Sequence, residues 1–265
     1  MKQAPREVDL GQAEQQTIRD LDPELQEHSA LAQSGFDLSQ ELLASVPEMQ
    51  IGKMPQSLKV AIALLARLAN DLRCAALLAH RGYEVQACTL VASMYEVAFT
   101  VAFIGSDNTL AQSWVDHDDP TNPFRNVMTM TREGLRKLDL ADPAVQTPIE
   151  YRTYSQLCMA RHANPLFQME HSFRKEGDAA SPMIGPDVSK EAVKPAQFAL
   201  EHSVHLATLA MFSFLQEHLL PLVPEDEALA LRAKIEALAE SRKSLEAKGK
   251  QRWGTEDPFP DKWRK

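Results

Sequence analysis

Glycine is scarce in this sequence, with 10 among 265 residues, and runs of Val, Ile and Thr are few. Strands favour β-branched residues and tight turns favour glycine, so the shortage argues against a β-rich architecture. Cysteine is rarer still: Cys74, Cys88 and Cys158 lie in apolar stretches, without the Cys-x-x-Cys spacing of a zinc site or the paired spacing of a disulfide framework. They read as reduced core residues. No Walker loop, Gly-x-Gly-x-x-Gly run, Gly-x-Ser-x-Gly elbow or His-Glu-x-x-His run occurs. That argues against nucleotide hydrolases, dehydrogenases, serine esterases and zincins, and no cofactor is implied. The first residues, Met1-Lys2-Gln3-Ala4-Pro5-Arg6-Glu7, lack the apolar core of a secretory leader. No stretch reaches the roughly 18 uncharged apolar residues of a membrane span. A cytoplasmic protein with no membrane partner is the expectation.

What the chain has in quantity is Ala, Leu, Glu, Gln, Met and Arg, the residues that lose least on entering a helix. Hydrophobic residues make up 44% and charged residues 25%, the balance of a folded globular chain. The net charge of −9 excludes an extended DNA-binding surface, since phosphates are held by clustered Lys and Arg. A local basic groove stays open.

Punctuation divides the chain into a polar arm over residues 1–21, a helical bundle over 22–222, and an edge helix with an aromatic tail over 223–265. Asp22-Pro23-Glu24 has the composition of a helix start. Leu58, Ile62, Leu65, Leu68, Leu72, Ala75 and Leu78 recur at steps of three and four, defining a helix that Arg81-Gly82-Tyr83 ends. A second apolar helix, Val85 to Ile104, follows at once, so the two form an antiparallel hairpin at the centre of the bundle. Short helices follow Thr109 and Asn122-Pro123, and Asp142-Pro143 opens another that Pro148 interrupts. Gly177 to Val193 reads as a long loop, and Lys194-Pro195 opens a helix apolar nearly all round. Pro224 starts the edge helix, whose stripe is Leu231, Ile235, Leu238 and Leu245. Trp253, Phe259 and Trp263 make the tail a docking segment for its own bundle or a neighbouring subunit. The fold class is all-α, an up-and-down bundle.

Several polar residues stand where apolar ones are the rule. Glu96 interrupts Met94-Tyr95-Glu96-Val97-Ala98-Phe99, and burying an unpaired carboxylate costs several kcal/mol, so it needs a partner, structural or functional. Tyr151, Tyr154, Cys158 and His162 share one helical face, with Ser155 beside them. His162 also suits the negative end of a helix macrodipole. His202 and His205 lie three apart after Glu201, a spacing that can serve one ligand or metal, although the paired Glu-x-x-His runs of a di-iron bundle are missing. Arg73 and His80 match the Arg-x4-6-His spacing of HEPN ribonucleases, and equally the i,i+7 spacing of one helix face.

Ala79-His80-Arg81-Gly82-Tyr83-Glu84-Val85-Gln86-Ala87, Ala92-Ser93-Met94-Tyr95-Glu96 and Tyr154-Ser155 with His162 together resemble a bacterial helical family of unknown function, loosely HEPN-like. Its members carry an Arg-Gly-Tyr turn, an Arg-Ser-x-x-Glu run and a later Tyr, Ser and His helix. The likeness spans roughly Leu58 to Pro165. It implies that Glu96 and His162 are the paired polar positions, with Tyr154 and Ser155 beside them. Ala92 stands where the family has arginine, so whatever that arginine serves is missing at this position.

These readings predict a homo-oligomer, a homodimer in the first instance, that binds RNA or a small polar ligand in a bundle cavity. Glu96, Tyr154 and His162 line that cavity, joined by Arg73, His80, Ser155, His202 and His205. As a stress or defence ribonuclease it would use His162 as general base or acid. The rivals are a non-catalytic interaction scaffold and a carboxylate-histidine metal hydrolase.

Overall fold

The structure is a computed structural model and describes residues 9–119, 122–139, 142–162, 164, 173–176, 179–182, 185–187, 189 and 192–254. It is an all-α bundle. In chain order come α1 (Leu10–Ala44), α2 (Gln56–His80), α3 (Glu84–Ile104), α4 (Asn108–Val115), α5 (Val127–Leu138) and α6 (Pro143–Arg161). After them come α7 (Val193–Phe214), a π-helical turn (Leu215–Leu219) and α8 (Glu225–Trp253). Side-chain oxygens of Asp9, Asp107, Asn126 and Asp142 take up free amides at the starts of α1, α4, α5 and α6, the preferred use of these residues.

The α2–α3 hairpin is central, as its periodicity predicts. α3 is enclosed by α2, α5, α6 and α7, while α1 packs on α2 and α7, and α8 lies against both α7 and α1. Tyr95 and Phe99 on α3 and Phe214 on α7 are, among the described residues, the largest side chains wholly removed from water. α3 and the Val193–Leu219 stretch are each long and apolar enough to cross a membrane by length and composition. Within the bundle 72% and 78% of those windows are buried, the condition of core helices.

Three expectations need correction. α1 begins at Leu10, not at Pro23, because Asp9 caps it and Thr17, Leu21, Leu25 and His28 extend its buried face one turn at a time. Pro23 sits inside the helix and forfeits one backbone hydrogen bond without breaking it. Pro148 likewise fails to interrupt α6, lying close enough to the N-terminus that little helix precedes it. The expected loop from Gly177 to Val193 includes a strand, Ala179–Pro182, which pairs antiparallel with Phe173–Glu176 just before it. The tail residues Phe259 and Trp263 lie outside the described residues, as do residues 1–8 of the arm.

The Arg81-Gly82-Tyr83 turn ties distant segments together. Gly82 has φ +77°, and a Cβ there would stand 2.6 Å from the Asp187 carbonyl oxygen and 2.7 Å from the Thr17 methyl. Glycine is required on both counts, conformation and room. The Asp187 amide donates to the Gly82 carbonyl (2.8 Å), and Tyr83 donates its hydroxyl to Glu14 on α1 (2.8 Å). The motif is thus a structural joint between α1, the α2–α3 turn and the segment before α7.

Candidate functional site

α6 turns a polar edge toward the core: Gln146, Glu150, Tyr154 and Cys158 recur every fourth residue, and Arg161 follows at the helix end. Two clusters form where this edge meets α3 and α7. In the first, Glu96 of α3 accepts the Tyr154 hydroxyl on Oε1 (2.7 Å), and Arg161 closes an ion pair on the same oxygen. Among the described residues no hydrogen bond reaches Oε2. The Glu96 side chain keeps 29% of its surface and that of Arg161 35%, so the pair is open to water and its attraction is partly screened.

Aromatic rings floor this cluster. Tyr154 stacks on Tyr95 with centroids 4.7 Å apart, and Tyr151 stands 5.9 Å from Tyr154. Burial, and then the hydrogen bond to Glu96, push the Tyr154 hydroxyl well above the ordinary phenol range. It therefore acts as a fixed donor, holding the carboxylate rather than exchanging protons with it. Burial also pushes the Cys158 thiol up, which keeps it protonated beside Tyr154.

The second cluster lies deeper. Glu150 accepts from His205 Nε2 (2.9 Å) and from the Gln146 amide (2.9 Å). Its side chain is only 6% exposed. Burial raises the Glu150 pKa, but His205, Gln146 and, more weakly, His202 outweigh it and bring the value to about 2. His202 donates Nδ1–H to the Phe198 carbonyl one turn back (2.8 Å), and burial lowers its affinity for a proton. Tyr95 is packed between the two clusters, in contact with Tyr154 and within the field of Glu150.

The remaining predicted residues do not join them. His80 is bonded to Ser29 of α1, and Arg73 donates to Gln33, also of α1 (3.0 Å), so both serve the α1–α2 contact. His162 caps α6 through its backbone amide, bonded to the Cys158 carbonyl (2.9 Å). Its exposed imidazole meets no hydrogen-bonding partner among the described residues. The Ser155 hydroxyl is spent on the Tyr151 carbonyl (2.8 Å). Glu201 turns away from the two histidines that follow it and pairs with His28 of α1 (3.0 Å). The expected single cavity therefore resolves into separate contacts: Glu96 with Tyr154, and His205 with a partner that sequence reasoning passed over.

Arg161 and Glu150 are the residues missed. Glu150 was legible as the position four before Tyr154, and Arg161 as a cation at the helix end. Ala92 is wholly buried, and it is Arg161 that brings a guanidinium to Glu96, from α6. Among the described residues no three His, Cys, Asp or Glu side chains converge as metal ligands. In comparisons with known proteins, no family model, no curated protein and no solved structure matches this chain.

Proposed function

We propose that this is a HEPN-like bundle that binds a small polar ligand of the nucleotide class, free or as a unit of RNA, at the α3–α6 face around Glu96. The observation that carries the reading is the one-sided use of the carboxylate: Tyr154 and Arg161 both bond Oε1. Oε2 is left for a donor from outside, and a base amino group is such a donor. Half-buried Tyr151 and Tyr154 offer ring surface for stacking beside it, and the remaining N–H groups of Arg161 suit a phosphate.

Calorimetric titration with 5′-mononucleotides and a short single-stranded RNA tests the reading. Binding that Glu96→Gln weakens about tenfold, ~1.4 kcal/mol, supports it. No binding, or binding indifferent to that change, overturns it. His162, next to Arg161, is the group a catalytic version of this site would draw on. Cleavage of a labelled RNA that His162→Ala abolishes extends the proposal to a ribonuclease, and an RNA that is bound but intact confines it to recognition.

The alternative, an interaction scaffold or homo-oligomer, rests on Val145 and Ile149. They lie one turn apart on the outer side of α6, 62% and 53% exposed. Neighbouring exposed apolar side chains can contribute to an assembly surface. Light scattering decides it: a mass above one chain that falls with Val145→Asp and Ile149→Asp supports assembly, and a single-chain mass removes it.

A further inference from the structure

α1 and α8 run antiparallel with a regular ion-pair ladder between them. Glu41 meets Lys234, and two heptads back along α1 Glu27 meets Lys248, two heptads on along α8; Glu24 then meets Arg252. The apolar seam does not keep pace with the ladder. Ala228, Leu231, Ile235 and Leu238 close the first half of α8 against the bundle, but after Leu238 only Leu245 is buried. Over that second half the three helices α1, α7 and α8 leave a cavity of about 270 Å³. That is room for roughly nine waters at about 30 Å³ each, or one molecule the size of an amino acid.

The walls of this cavity are chemically specific. Glu24 and Glu27 line it from α1, Lys248 and Arg252 from α8, and Gln197 and His28 close its inner end. Gln197 is fixed at both ends of its amide, donating to the Glu24 carbonyl (2.9 Å) and accepting from Trp253 Nε1 (2.9 Å). Behind His28 lies Glu201, and both side chains of that pair are about nine-tenths buried. His28 Nδ1 has no hydrogen-bond partner among the described residues.

Gly249 lines the same space. Glycine weakens a helix interior, and here no backbone conformation calls for it, since its φ is not positive. A Cβ would stand 3.4 Å from Glu201 Oε1, an ordinary contact, so close packing does not demand glycine either. The effect of Gly249 is to keep space open over the buried His28–Glu201 pair. The rim pairs Glu27–Lys248 and Glu24–Arg252 are solvent-exposed and therefore weak, so their partners exchange readily for charges of a guest.

We infer that the α1–α7–α8 cavity is a second ligand site, which takes a small zwitterion of amino-acid size beneath the C-terminal half of α8. Its anionic group meets Lys248 and Arg252, and its cationic group meets Glu24 and Glu27. The two walls are paired with each other across the rim, so a guest with both charges replaces both partners of the pairs it separates, whereas a guest with one charge leaves one member of each separated pair without a match. Electrostatic complementarity thus sets the selectivity.

The test is calorimetric titration and thermal unfolding of the full chain with L-glutamine, using propionate and propylamine as single-charge controls. Saturable binding of L-glutamine with a raised melting temperature, absent with either control, is the expected result. Gly249→Met fills the cavity and abolishes binding, and Lys248→Glu, on the exposed rim where folding is safe, weakens it at least tenfold. Glu96→Gln leaves it unchanged, which keeps this site distinct from the α3–α6 face. No saturable heat with L-glutamine, equal binding of the single-charge controls, or binding that survives both rim and cavity variants leaves a water-filled gap only and overturns the inference.

Discussion

Glu150 on α6 and His205 on α7 meet at 2.9 Å inside the bundle, the most deeply placed contact between ionisable groups along the α6 edge. Burial alone would raise the pKa of Glu150. The imidazole, the Gln146 amide and the nearby His202 instead keep it ionised, with a pKa of about 2. A buried pair of this kind is held by its geometry, so losing one member is worse than never having had either.

Acid unfolding reads that pair directly. The folded-state pKa of Glu150 is depressed from an ordinary 4.5 to about 2, so the stability it supplies is complete above 4.5 and is lost as pH falls toward 2. Glu150→Ala costs about 3 kcal/mol at neutral pH by urea denaturation. Glu150→Gln keeps a hydrogen-bonding side chain but flattens the pH dependence between 4.5 and 2 relative to wild type. Equal slopes for wild type and Glu150→Gln would show that the carboxylate is not held in its charged form.

The main helices were legible because their signals are local. The stripe from Leu58 to Leu78 and the glycine after it define α2 and its end without reference to any other segment. Asp9 shows where such reading stops: a cap is recognisable only if a helix follows, and the polar stretch after it repays its ordering through Thr17, Leu21 and Leu25, packed on other helices. The site was half legible for the same reason. Glu96 is conspicuous among apolar neighbours, so its need for a partner follows from sequence. Which partner it takes depends on how α6 is rotated against α3, and that angle is set by packing. His80, Arg73 and Glu201 have suitable chemistry and spacing, yet each is satisfied by α1, which sequence spacing does not bring near them.

Gly82 gives a stability test of the α2–α3 joint. Gly82→Ala puts a Cβ on a residue with φ +77° and within 3 Å of both Asp187 and Thr17, so strain and overpacking add. The expected loss is roughly 3 kcal/mol by chemical denaturation. Gly52→Ala, where nothing lies within 4 Å, is the control and changes stability by less than about 0.5 kcal/mol. A silent Gly82→Ala would mean that Asp187 does not seat on the turn.

Tyrosine titration separates the two stacked rings of the site from the rest. Burial raises the Tyr95 hydroxyl, bonded to Thr131 (2.9 Å), and burial with the Glu96 hydrogen bond raises that of Tyr154. Both stay neutral in the folded chain through the ordinary phenol range near 10, so folding loses stability as pH climbs beyond it. Ultraviolet difference spectra are expected to show Tyr95 and Tyr154 ionising only as the protein unfolds in alkali. Tyr154→Phe removes one of these late steps and, by leaving Glu96 a single partner, costs about 2 kcal/mol. A Tyr154 that titrates freely in the folded state would contradict its bond to Glu96.

His80, His202 and His218 supply the opposite pH signal. Burial is the first cause in each, lowering the affinity for a proton below the ordinary 6.5 in spite of Asp22 near His80, Glu201 near His202 and Glu217 near His218. The unfolded chain takes up these protons first, so their stability is full above 6.5 and declines as pH falls through it, before Glu150 begins to titrate. Proton-detected imidazole NMR is expected to place all three midpoints below 6.5. His80→Gln, which can still bond Ser29, removes the His80 share of the decline and leaves ligand binding at the α3–α6 face intact, because that histidine faces α1. Loss of binding in His80→Gln, with the fold retained by circular dichroism, would tie the α1–α2 edge to the ligand and restore His80 to the site.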